Sequence, residues 1–154
     1  PRRFTLTRGE PPFLGLVMLN PSTADGLSDD PTIRKCKGFA ERMGLKGITV
    51  GNLFTLRTPH PRELLAKLEA GELAATPACD LALERVIADA EVLAFAWGAL
   101  AGKLARYATP RIGAAFAIAA RLGKKPIALG LTASGAPRHP LMLSYTSEPQ
   151  ELRL

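Results

Sequence analysis

Apolar residues in this chain fall into short unbroken runs, separated by longer stretches in which they recur every three to four positions. Residues 14–19, Leu-Gly-Leu-Val-Met-Leu, are the first such run. It is too short for a membrane span and lacks helical periodicity, so it predicts a strand buried on both faces in the middle of a parallel sheet. Runs at 47–54, 91–97 and 126–130 predict three more buried strands. Ahead of them, residues 4–8 alternate apolar and polar, the pattern of an edge strand with one face in water. Asp30-Pro31 predicts a helix start, a capping carboxylate followed by proline at the first helical position. Ile33, Cys36, Phe39, Ala40 and Met43 then share one helical face, up to a stop at Gly44. Further helices are predicted over 62–70, 77–90 and 99–107, and a separate one is opened by Pro110 and runs to Leu122. Residues after 144 read as a tail. The alternation predicts an α/β fold: three layers, α/β/α, around a mainly parallel sheet of four to five strands, in one domain over 1–154 with its core at about 4–143.

Each apolar strand ends in polar or glycine-rich residues: Asn20 to Asp25, Asn52 to His60, Trp97-Gly98, and Thr132 to Pro140. In a parallel sheet those ends gather on one edge, which predicts a single cleft. Pro21 fixes one φ angle and removes an N–H, so the turn is stiff and Asn20 is aimed. Ser22, Thr23 and Asp25 complete that first loop.

Composition changes this picture only slightly. A length of 154 residues suits one core, and 47% hydrophobic with 22% charged residues is ordinary for a globular chain. A net charge of +6 permits DNA or a small nucleotide as partner without requiring one. No signal peptide or apolar run of transmembrane length is visible, which predicts no membrane contact and a cytoplasmic protein, with Pro1 left by trimming of an initiator Met. Cys36 and Cys79 are far apart and near no His, so they predict buried or half-buried thiols rather than a disulfide or a metal site. With no P-loop, no GxGxxG and no GxSxG, no cofactor is expected.

The groups left for chemistry are Asn20, Asp25, Asn52, Arg57, His60 and His139. An Asn amide offers a donor and an acceptor, which suits the edge of an amide-like ring such as a pyrimidine. A neutral His at a strand end can donate to an oxyanion developing on a leaving group. An oriented amide or carboxylate can place a water opposite an oxocarbenium-like sugar. Together these roles describe cleavage of an N-glycosidic bond. The plainer roles stand beside them: Asn20 and Asn52 capping loops, Ser22 serving a turn, and His139 bonding a backbone group.

Residues 47–57, Gly-Ile-Thr-Val-Gly-Asn-Leu-Phe-Thr-Leu-Arg, resemble the strand of uracil-DNA glycosylases that ends in the Asn reading uracil. Residues 93–101, which end a strand in Trp97-Gly98, resemble the next core strand of those enzymes. Leu19-Asn20-Pro21-Ser22 sits at the place of their water-activating motif, and Arg138-His139-Pro140-Leu141 resembles their late His-Pro motif. The chain departs from them at Met18, where Gly is usual, in lacking an aromatic residue after Pro21, and in lacking Ser-Pro after Pro140. More narrowly, Met18 to Asp25, Asp30-Pro31-Thr32 and Gly135 to Pro140 resemble domain-of-unknown-function family 1643, an uncharacterised bacterial and phage family.

The resemblance implies a uracil-DNA-glycosylase-like domain that binds a nucleobase or nucleotide, with cleavage of a glycosidic bond in DNA as its candidate reaction. Asn20 would hold the water, with Asp25 as the alternative because only a carboxylate is a true base at neutral pH. His139 would steady the leaving group. Pro21, Ser22, Thr23, Asn52, Arg57, Thr58, Trp97, Gly98 and Arg138 would line the substrate site, and Arg34, Lys35 and Arg57 would meet phosphates. Two alternatives belong to other classes: a hydrolase or transferase acting on a small nucleotide or phosphorylated metabolite, and a non-catalytic nucleic-acid-binding module.

Overall fold

The computed structural model describes residues 4–21, 28–58, 60–72 and 76–153. Its centre is the first apolar run. Strand β2 (Phe13–Met18) lies between β3 (Gly47–Asn52) and β4 (Ala90–Phe95) and runs parallel to both. Its side chains alternate between two cores. Leu14, Leu16 and Met18 face helix α1 (Pro31–Arg42). Val17 faces α2 (Pro61–Glu69), α3 (Pro77–Asp89) and α4 (Gly102–Arg121). Covering both faces is what lets a strand carry no polar residue, and it makes the fold three-layered.

Among the described residues the sheet is mixed and has six strands, in the order β1-β3-β2-β4-β5-β6. The three inner pairings are parallel; β1 (Thr5–Gly9) and β6 (Gln150–Glu151) join antiparallel at the edges, β6 against β5 (Ile127–Ala128). The stretch that reads as a tail is therefore fastened along its length. Tyr145 packs edge-on against Phe39 at 5.0 Å, the Ser147 hydroxyl donates to Leu129 O at 2.8 Å, and Leu152 N–H donates to Pro126 O at 2.9 Å. Its sequence lacks apolar alternation because β6 is exposed and held by the free backbone edge of β5.

Asp30 caps α1 as predicted, its carboxylate accepting from Ile33 N–H at 2.9 Å. The two helices expected over 99–107 and 110–122 are a single helix, α4, with Pro110 inside it. Proline removes one hydrogen bond to the residue four earlier, here Arg106; both residues are exposed, so the loss falls on the solvent side of the helix. No helix among the described residues is long and apolar enough to cross a membrane.

Candidate functional site

β3, β2 and β4 are parallel and end at the same edge of the sheet, where the chain leaves each strand in polar residues. There a cavity of about 540 Å³ opens. Asn20 and Pro21 come from the loop after β2, Asn52 from the end of β3 and Thr58 from the loop after it, and Trp97 and Gly98 from just past β4. His139, just before a short 3-10 turn (Pro140–Met142), closes another side. The predicted convergence therefore brings together seven of the residues singled out from sequence.

Asn20 is held by its amide nitrogen. Nδ2 donates to Leu56 O at 2.9 Å, Thr58 O at 3.1 Å and Thr58 Oγ1 at 3.2 Å, tying the β2 loop to the β3 loop. Carbonyls only accept, so the amide cannot be turned around, and Oδ1 is left as a fixed acceptor.

Asn52 is the opposite case. It is 5% exposed, lines the cavity, and its side-chain amide has no hydrogen-bond partner among the described residues. A buried amide without a partner costs about 1–3 kcal/mol, so this one can be satisfied only by what enters the cavity. The strand end behind it is firmly fixed from the opposite side. Arg111 reaches in from α4, donating from Nε to Leu53 O at 2.8 Å, pairing with Asp80 at 2.7 Å and meeting Cys79 Sγ at 3.5 Å.

His139 is held at one nitrogen. Nδ1 accepts from Leu141 N–H at 3.2 Å, which leaves the proton of the neutral ring on Nε2. The residue reaches solvent, yet its ring lies against enough protein for desolvation to push the imidazole below its usual range, the Asp30 carboxylate pulling the other way. A neutral Nε2–H donor at pH 7 follows. Because the folded pKa is the lower one, the folded state binds fewer protons as pH falls through 6.5, so stability declines from there and the loss is complete below the folded pKa. Thermal unfolding between pH 7.5 and 5 should show this decline, and His139→Asn, which keeps a capping oxygen but cannot titrate, should lessen it. Equal declines in both proteins would remove the assignment. Gly98 faces His139 with φ of +84°, a conformation that an L side chain adopts only with strain.

Residues 3–141 match the family model described as "Protein of unknown function (DUF1643)". The chain belongs to the DUF1643 family. No curated protein and no solved structure matches it. The matched DUF1643 span holds every described cavity residue, whereas Tyr145 and β6 lie beyond it.

Not every predicted residue reaches this DUF1643 cavity. Ser22, Thr23 and Asp25 lie outside the described residues. Arg57 and Arg138 do not line it. Arg34 donates to Asp29 O at 2.9 Å, and Lys35 sits 4.1 Å over the Tyr145 ring, both on α1 away from the lining. Sequence reasoning missed Thr32 and Ile33 at the start of α1 and Leu100 and Leu104 beside the start of α4. The apolar spacing of Ile33, Leu100 and Leu104 marks them only as helix core. Cys36 and Cys79 are both buried; desolvation pushes the Cys36 thiol up to about 12 and raises that of Cys79, so both are inert packing thiols. No charged side chain is among the described lining residues.

Proposed function

We propose that this cavity receives a nucleobase and that the domain cleaves its N-glycosidic bond in DNA. The observation that carries the proposal is the buried amide of Asn52, without a partner among the described residues, in a cavity whose described lining is uncharged; it is a group able to meet both a carbonyl and an N–H on one ring edge. The resemblance of residues 47–57, 93–101 and 138–141 to uracil-DNA glycosylases supports the same reading. The base would leave the helical stack to enter. Asn20 Oδ1 would accept from a water and orient it, without deprotonating it, since an amide is no base at neutral pH. The C1′–N bond breaks with its electron pair going to the base, where His139 Nε2–H steadies the developing charge; the water oxygen bonds C1′ and its proton leaves to solvent. Leu141 and Met142, the latter 80% exposed, follow His139 after Pro140. As apolar side chains beside the cavity's His139, they would fill the gap a departing base leaves in a duplex.

The test is incubation with labelled single- and double-stranded DNA carrying uracil, hypoxanthine or a G·T mismatch, followed by alkali to reveal abasic sites. Cleavage by the native chain, reduced about 100-fold or more in Asn52→Ala and His139→Ala, is the expected result. Met142→Ala should lose more on duplex than on single-stranded substrate. Asn20→Ala is the poorer probe, because it also releases the loop at Leu56 and Thr58. Absence of abasic sites on every substrate would overturn the glycosidic reading.

A further inference from the structure

Trp97 is the sole tryptophan of the chain, is 6% exposed, and lines the cavity. Its ring is wedged in an aromatic cluster, 4.8 Å from Phe95 and 6.3 Å from Phe116, which itself meets Phe95 edge-on at 5.0 Å. The plane of the indole is therefore set by packing, and so is the direction of its N–H. That N–H has no hydrogen-bond partner among the described residues. Buried indole N–H groups ordinarily find one. Pure packing does not require tryptophan here, since phenylalanine would fill the cluster without a stranded donor.

We infer that the Trp97 indole N–H is a ligand-binding donor, so that whatever occupies the cavity presents an acceptor, a carbonyl oxygen or an unprotonated ring nitrogen, to the end of β4. This deepens the nucleobase reading and rests on it for the ligand's identity. The inference adds a form of selectivity that Asn52 cannot supply. An amide with no protein partner can rotate to offer donor or acceptor, so Asn52 tolerates either order on a ring edge. Indole nitrogen only donates, and Asn20 Oδ1, held as described, only accepts. A ligand that puts an N–H against Trp97 leaves two donors facing each other and is rejected.

The experiment follows the single indole N–H resonance and the Asn52 side-chain amide in proton–nitrogen spectra of the full chain, titrated with uracil and, separately, with N-methylacetamide as a bare amide acceptor. A saturable downfield shift of the indole proton with uracil is expected, with Trp97→Phe weakening uracil about 10-fold. The wild-type spectrum decides on its own if that variant folds poorly. Movement of the Asn52 amide with an unmoved indole proton would overturn the inference while leaving the nucleobase reading intact. An indole shift with N-methylacetamide but not with uracil would keep the donor and overturn the nucleobase reading. No shift with either probe would overturn both.

Discussion

Replacing Gly15 by alanine is expected to cost about 3 kcal/mol, the upper part of the range for overpacking a tight core. A Cβ at this position would lie 2.5 Å from Ala90 Cβ and 3.2 Å from Val86 O. Neither neighbour can step aside. Ala90 begins β4 immediately after α3 ends at Asp89, so helix and strand meet with no loop between them. Val86 O is backbone of the same helix, pressed against the strand that Gly15 occupies. The methyl group would push α3 off the sheet and disturb the β2–β4 pairing, which already shifts register between Phe13 and Leu14. Gly113→Ala is the control, since nothing lies within 4 Å of its added Cβ, inside α4. There the same change should stabilise by about 0.5–1 kcal/mol through helix propensity and a less flexible unfolded chain. Urea unfolding of the two variants should move the midpoint in opposite directions. A Gly15→Ala midpoint equal to the parent would mean that α3 is not packed on β2 as described.

Asn52→Leu is expected to raise stability by about 1 kcal/mol while removing nucleobase binding and any glycosidic activity. The gain comes from replacing a desolvated amide that has no protein partner with an apolar group of similar size. It should appear as a higher urea midpoint in the absence of ligand. Binding is lost because leucine offers neither donor nor acceptor, a loss of at least about 100-fold where two hydrogen bonds to a ring edge disappear. Opposite signs for stability and function are the mark of a residue kept for the ligand rather than for the fold. A lowered midpoint would show that the amide has a structural partner, and the proposal built on Asn52 would fall. The same substitution at Asn20 should behave in the opposite way, lowering stability, because its Nδ2 ties two loops together.

These contrasts show where sequence reasoning reached and where it stopped. The α/β class, the buried strand at 14–19 and the cap at Asp30 were legible because each is a local effect: an apolar run, a side-chain oxygen near free amides, a proline with its fixed φ. Gathering Asn20, Asn52, Trp97 and His139 at one edge followed from parallel strands alone. Local patterns misjudged α4, where Pro110 reads as a start but sits on the solvent side of a continuous helix. They gave no sign of β6, whose polar residues are held by the open edge of β5. Nor could they separate the two asparagines, which look alike in sequence at the ends of adjacent strands. Which one has its amide consumed by carbonyls and which is left facing the cavity depends on the path of residues 56–58, far along the chain. The kinds of element, and the edge at which the polar groups meet, are written in the order of residues, because they depend on neighbours along the chain. Tertiary structure decided which polar atoms remain available to a ligand, because a hydrogen bond is made or lost by tenths of an ångström between residues that the chain keeps far apart.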